Sequence, residues 1–480
     1  MQFSLTTAIS YMNGEPHIGH SYEIILADCI NRYYKYIFNN CFLLTGSDEH
    51  GKKIENKANN LNITCKELCD MYVKEFRDLY SLLDIQYDRF IRTSEENHIN
   101  NSLYLFDIMY RKGDIYQDLY DGWYNTREEC YISNSEALKC NFIDNITGEP
   151  FQRLTEKAYF FKLSKYEDTL KEFYKNNKDF IQPVEYYDEL SHKLNNEKLR
   201  DICISRNDII NGIKIPNDNN ITIYVWFEAL MNYITGINDW PPSVQIIGKD
   251  ILWFHGIIFP AMLLSLNLQI PNLILVHGHI LDSSGRKMSK SLSNTIDSNK
   301  LIEITSTDTF RWFLLQNKIG KDINVDTDKF INTHKMLINL YGNLVNRIVK
   351  LIKLKCNNRI PVSSNNYELL QYESITDIVK NYIQLKKIYK ISRFSTLLLK
   401  DINKYLTDSQ PWKLNDHIKI NNIIHTITEA LYFITMVIHP IIPVCTSKVF
   451  ECLKHENTKL RCYKLIADTE IGSLELLFKK

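Results

Sequence analysis

The run QFSLTTAISYMNGEPHIGH, residues 2–20, decides the fold. Residues 2–9 are β-leaning, and Asn13-Gly14-Glu15-Pro16 is a turn. From His17 onward Ile25, Cys29, Tyr33 and Ile37 recur every four residues, which predicts a helix to about residue 37. Residues 41–44 are a short apolar strand. Strand, helix and strand in that order make a βαβ unit, so the sheet is expected to be parallel and doubly wound. No GxGxxG opens the helix, so an ordinary dinucleotide fold is not indicated.

The second half of the sheet returns late, in strands expected at 245–247 and 273–276. They flank residues 251–281, which contain no Asp, Glu, Lys or Arg. Gly256, Pro260 and Pro271 interrupt that stretch, so it reads as a buried helix over about 251–266 and a buried strand, not a membrane span. Between the halves lies an insertion, 116–205, rich in Tyr, Asn and Glu. Beyond about 325 the pattern turns helical, over 332–355, 376–405 and 421–439, with Pro411, Pro440 and Pro443 as punctuation. The expected architecture is α/β. A split nucleotide-binding catalytic domain (1–115 and 206–325) carries a connective insertion (116–205) and is followed by an all-α bundle (326–480).

Composition agrees. A chain of 480 residues, 44% hydrophobic, has ample core for several domains, which excludes a disordered chain. The net charge of zero hides an asymmetry. Residues 331–480 hold 22 Lys and Arg against 12 Asp and Glu, and the first 330 hold 35 against 45. A basic end on an acidic body suits a polyanion docking there, and an uneven solvated surface gives the same counts. Eleven scattered cysteines fit a reduced, cytoplasmic chain, and MQFSLTTAIS lacks the features of a secretory signal.

Two segments carry chemistry. Pro16-His17-Ile18-Gly19-His20 stands where a strand hands over to a helix. Free N–H groups and the positive dipole end suit a phosphate there, Gly19 lets it approach, and His17 and His20 can donate to its oxygens. Two histidines alone serve equally to cap or to pack. Lys287-Met288-Ser289-Lys290-Ser291 follows the strand near 273–278 through Asp282-Ser283-Ser284-Gly285-Arg286. Its cations and hydroxyls can close over a polyphosphate, and a solvated basic loop has the same composition.

Together they narrow the reading. HIGH before a first helix and KMSKS late in a split nucleotide-binding fold are signatures of class I aminoacyl-tRNA synthetases. Over essentially its whole length the chain resembles the methionyl-tRNA synthetase family. The resemblance is carried by residues 6–16, by Thr45-Gly46-Ser47-Asp48-Glu49-His50-Gly51, by residues 224–233 (YVWFEALMNY), and by Ile247-Gly248-Lys249-Asp250-Ile251 with Phe254-His255. It implies activation of L-methionine with ATP and Mg²⁺, then transfer to tRNA(Met). It implies that Tyr11, Trp226, Ala229, Tyr233, Ile251 and His255 line a methionine pocket, with Asp48 on the amino group and Arg206 near the substrate. The residue types suit that role. Aromatics offer area and sulfur contacts to a polarizable side chain, and Trp226, Ala229 and Tyr233 fall on one helix face, as a core stripe also does. The resemblance assigns His17, Gly19, His20 and Lys287 to Ser291 to ATP, with His17, His20, Lys287 and Lys290 catalytic. It assigns Asn343, Arg347 and Trp412 to the anticodon.

The chain departs from the family in places. Many members carry a zinc knuckle of paired CxxC motifs. Here Asn125 and Glu128 stand at the first pair and Cys140 has no CxxC partner, so no structural zinc is expected. Ser293 and Ser298 replace the usual Gly and Pro, and Glu228 a more usual Asp, a mild change. No dimerising C-terminal extension follows Lys480, so a monomer is expected. The alternatives are another class I synthetase, a related nucleotidyltransferase and a non-catalytic tRNA-binding paralogue. The large editing insertion of the isoleucine, valine and leucine enzymes does not fit in about 90 residues.

Overall fold

The computed structural model describes residues 2–38, 40–125, 130–132, 134–145, 147–207, 209–216, 218–288, 296–364, 367–455, 460 and 465–478. The opening run folds as read. Strand β1 (Phe3–Thr7) leads through the short β2 (Ser10–Tyr11) into helix α1 (Ile18–Phe38). Strand β3 (Cys41–Asp48) returns parallel to β1, with Leu5 beside Leu43. Ile25, Cys29, Tyr33 and Ile37 are buried on the face of α1 that the period predicts. β3 runs four residues past the expected 41–44, because Thr45 to Asp48 pair with the neighbouring β4 (Arg89–Arg92) and with β2. Gly46 permits that pairing, since a Cβ there would lie 2.1 Å from the Ile91 carbonyl oxygen.

Strands β5 (Ile181–Gln182), β6 (Val244–Gly248) and β7 (Ile274–His277) complete a seven-stranded sheet. All its pairings are parallel, in the order β2-β3-β1-β6-β7-β5 with β4 also on β3. The carboxyl ends of β1, β3, β6 and β7 therefore open on one crevice. Helix α2 (Glu96–Arg111) precedes the insertion, and the short α3 (Val225–Leu230) follows it.

The span 116–205 holds two kinds of structure. A four-stranded antiparallel sheet (Cys130–Ile132, Ile115–Asn125, Gln152–Phe161 and Ile202–Cys203) fills part of 116–205. β5 lies inside the same span yet pairs with β7, and the helices flanking it (Glu167–Asn176 and Val184–Asn196) share one buried apolar cluster with both strands. The helix expected over 251–266 is a 3₁₀ turn (Lys249–Ile251), a π-helical turn (Phe254–Ile258) and an α-helix (Phe259–Ser265).

The C-terminal third is helical, with α4 (Asn343–Lys355), α5 (Ile388–Ser409) and α6 (His417–Ile438) as its long members. The expected single helix over 376–405 is two, Tyr372–Gln384 and α5. They break at Lys386, whose φ is 55° and whose Nζ donates to Tyr34 Oη of α1 at 2.8 Å. The bundle has no separate core. One buried apolar cluster runs from Leu5 and Ile25 through Trp312 to Ile427 and Phe478. The fully buried Arg311 donates to Asp28 of α1 at 2.6 Å and to the Ile441 and Pro440 carbonyls, fastening bundle to sheet. No helix among the described residues is long and apolar enough to cross a membrane.

Candidate active site

All seven residues expected around methionine line one cavity of about 140 Å³. Parallel pairing sets Tyr11 on β2 beside Asp48 at the end of β3. α3 supplies Trp226 and Ala229, the next turn (Asn232–Gly236) supplies Tyr233, and the segment after β6 supplies Ile251 and His255. Trp226 stacks on Phe254 with ring centroids 4.3 Å apart and planes 14° apart. Tyr233 and His255 are held 2.8 Å apart, and His255 Nδ1 lies 3.0 Å from the Ile251 carbonyl oxygen. That carbonyl only accepts, so Nδ1 carries the proton and Nε2 accepts from the Tyr233 hydroxyl. Burial pushes His255 down to about 4 and the Tyr233 hydroxyl well up, so both are neutral at pH 7. Trp226, Tyr233 and His255 make an aromatic, uncharged part of the lining, and Asp48 adds a carboxylate to it. Lys53, which the sequence reading missed, also lines the cavity, its Nζ 5.9 Å from the Tyr11 ring centroid.

Arg206 lines a neighbouring cavity instead, together with His50, Asn211 and Tyr224. Its guanidinium lies 3.7 Å from the Tyr224 ring centroid and donates to the Ser205 carbonyl at 2.7 Å. Trp226 and Phe254 also wall a groove of about 900 Å³ between the insertion and the catalytic body, with Lys193, Lys198 and Arg200 along it.

At the start of α1 the rings of His17 and His20 stack, centroids 3.9 Å apart. The Gly19 N–H donates to His17 Nδ1 at 3.1 Å and the His17 N–H to His20 Nδ1 at 3.2 Å. With both Nδ1 atoms accepting, each neutral ring carries its proton on Nε2 as a donor. A Cβ on Gly19 would stand 2.9 Å from His17 Cε1, so the stacked geometry needs glycine. In the signature loop, Lys287 Nζ pairs with Asp250 Oδ2 at 3.1 Å, and Met288 packs partly buried on the core. Burial raises the Asp250 carboxyl, but His279 and Lys287 outweigh it and hold the group well below the ordinary range. Ser289, Lys290, Ser291 and Ser293 lie outside the described residues, as does Glu128 of the insertion. Ser298 is the first residue of helix Ser298–Ile304, a position where proline is also tolerated.

Far along the bundle, Asn343 and Arg347 lie one turn apart on α4, and the Arg347 guanidinium is 5.8 Å from the Trp412 ring centroid. Trp412 is 42% exposed, on a turn that follows Gln410 in the left-handed region and Pro411. In the insertion, the buried Asn125 amide donates to Asp144 at 2.7 Å. Among the described residues no group of three or more His, Cys, Asp or Glu is placed to hold a metal.

The sequence reading passed over Asp250 and His50, although both lie inside stretches it quoted, because no spacing rule marks them. It also ranked Glu228 as a mild change. The structure buries Glu228 completely, bonded to His50 and His98.

Comparison with known proteins agrees with this geometry. The family model described as tRNA synthetases class I (M) matches residues 3–145 and 141–349. The methionine--tRNA ligase of Rickettsia prowazekii is 34% identical, over 100% of this chain and 99% of that protein. The methionine--tRNA ligase of a Nostoc species is 34% identical, over 94% and 89%. A Mycobacterium tuberculosis methionyl-tRNA synthetase in complex with methionyl-adenylate superposes with a TM-score of 0.92 at 30% identity, covering all of both chains. With a matching family model over most of its length, relatives at this identity from end to end, and the expected pocket residues gathered at the crevice of the sheet, the chain belongs to the methionine--tRNA ligase family of class I tRNA synthetases.

Proposed function

We infer that the chain activates L-methionine with ATP and charges tRNA(Met), for translation initiation and elongation. The observation that carries this reading is the convergence of Tyr11, Asp48, Trp226, Ala229, Tyr233, Ile251 and His255 on one cavity beside the start of α1. The methionine ammonium pairs with Asp48, and its thioether lies among neutral aromatic groups. ATP enters as its Mg²⁺ complex. A methionine carboxylate oxygen attacks the α-phosphorus in line, the bond to the β-phosphate oxygen breaks, and pyrophosphate leaves. No protein nucleophile takes part, so the enzyme contributes placement and charge stabilisation. The Nε2–H donors of His17 and His20 and the helix N-terminus meet the phosphates, and Lys287 and Lys290 offset the charge on the departing pyrophosphate. A hydroxyl of the terminal tRNA ribose then attacks the adenylate carbonyl, and AMP leaves.

The groove beside Trp226 has room for a nucleic-acid end, and the exposed Trp412 beside the half-buried Arg347 suits an unstacked base. Asn343, Arg347 and Trp412 are the proposed anticodon readers, and the working form is proposed to be a monomer. The test is ATP–pyrophosphate exchange with each of the twenty amino acids, beside Lys290→Ala. Exchange with methionine alone, lost in the variant, supports the reading. Exchange with a different amino acid overturns the pocket assignment.

A further inference from the structure

Behind the methionine cavity two imidazoles share one buried carboxylate. Glu228 Oε1 lies 2.8 Å from His50 Nδ1, and Oε2 lies 3.0 Å from His98 Nε2. His98 Nδ1 lies 2.9 Å from Thr235 Oγ1, and Ser102 Oγ is 3.3 Å from His98 Nε2. Glu228 and His98 are fully buried, and His50 is 7% exposed. Each member comes from a different place. His50 follows Asp48 by two residues, past the end of β3. His98 and Ser102 sit on α2. Glu228 lies on α3 between Trp226 and Ala229, and Thr235 follows Tyr233 by two.

None of these side chains lines the methionine cavity, so none touches the substrate bound there. Yet His50 and Glu228, 178 residues apart in sequence, join the strand end that carries the ammonium anchor to the helix that carries the side-chain wall. A carboxylate taken out of water needs partners on both oxygens, and removing one leaves a costly charge. Burial acts against ionisation at both sites, but the imidazoles hold Glu228 below its ordinary range and Glu228 holds His50 above its own. Other charged groups near His50 are the adjacent Glu49 and, lining the same small cavity, Arg206.

We propose that Glu228, with His50 and His98, is a positioning element that fixes Asp48 against the Trp226–Ala229 face and thereby sets the affinity for methionine, independently of ATP. This rests on the reading that the cavity takes methionine. Steady-state ATP–pyrophosphate exchange on the full chain tests it, with KM measured separately for methionine and for ATP. Glu228→Gln keeps the shape and removes the charge. It is expected to raise the KM for methionine about tenfold, as for a charged hydrogen bond, with the KM for ATP within twofold and kcat within threefold. Thr235→Val loosens only the far end and is expected to raise the KM for methionine about twofold to threefold on the same principle. An unchanged KM for methionine in both variants overturns the proposal. So does a rise in both KM values together, or a fall in kcat alone, since those are marks of general loosening. If Glu228→Gln does not fold, Thr235→Val and Ser102→Ala decide by the same split. A parent inactive with methionine overturns the reading of the cavity itself, whereas an active parent with unmoved variants overturns only the positioning role.

Discussion

The proposed methionine cavity and the Arg347–Trp412 surface are both aromatic sites beside a charge, yet they are built in opposite ways. At the cavity, Trp226 is stacked on Phe254, and Tyr233 is bonded to a neutral His255. The rings are oriented before a ligand arrives, and the buried setting favours an apolar chain with one ammonium. On the bundle, Trp412 is 42% exposed and its neighbouring cation stands 5.8 Å away. There the ring is open to a stacking partner from outside, which in the proposed role is an unpaired nucleobase. Preorganisation serves discrimination among small side chains, and an open platform serves a large flexible polyanion, whose approach the basic excess of the last 150 residues favours.

The most severe way to break the comparison is Asp48→Ala. Losing one member of a buried charge pair costs about 2–5 kcal/mol, so kcat/KM for methionine in exchange should fall about 30- to 5,000-fold. A smaller loss would mean that the ammonium is held elsewhere, with the Tyr11 hydroxyl as the acceptor to re-examine. Next comes Trp412→Ala. Stacking worth about 1–3 kcal/mol per base predicts a fall of about 5- to 150-fold in aminoacylation of tRNA(Met). Methionine-dependent exchange should stay within twofold on the same ground. Equal losses in both assays would show that the two regions are not separable.

The junction gives a smaller effect. Lys386 is 7% exposed, and burial lowers it to about 8, against an ordinary value of 10.5. Below pH 8 both folded and unfolded chains hold its proton. Between pH 8 and 10.5 only the unfolded chain does, so stability rises with pH over that window. Relative to Lys386→Met, the parent should gain about 1–3 kcal/mol between those limits, read from urea unfolding. Neighbouring Tyr34 and Cys41 are pushed up to about 12 in the folded chain, and their titration in the unfolded chain is common to parent and variant. No relative gain would mean that the ammonium is solvated at the break.

The smallest expected effect is a null one. With His255 at about 4, the KM for methionine should be flat, within twofold, from pH 5.5 to 8. The linked stability lies lower. The unfolded His255 takes a proton as pH falls through 6.5 while the folded one does not, so stability is lost between 6.5 and 4, and His255→Gln should remove that slope. A KM step near 6.5 would show that the cavity is wetter than its Tyr233–His255 bond implies.

Sequence reached far into both regions because much of their chemistry is local. The period of α1, the glycine between stacked histidines, and Trp226, Ala229 and Tyr233 on one face are properties of neighbouring residues. It failed where an unbroken period hides a break. Residues 376–405 keep a helical pattern through Lys386, and only the pull toward Tyr34 of α1 shows why the chain turns there. It was silent on the pairing inside 116–205, since two residues, Ile181 and Gln182, are too short a strand to announce that they join the central sheet.

What the sequence determined by itself was the set of parts: the βαβ start, the two signatures, the apolar helix faces and the basic helical end. These follow from side-chain period and backbone preference, which act over a few residues. Only the tertiary structure decided which parts meet. Tyr11 reaches Asp48 through strand register, and Glu228 finds His50 across 178 residues because a buried carboxylate must be satisfied by whatever the packing brings to it. That choice depends on burial and distance, which no local pattern records.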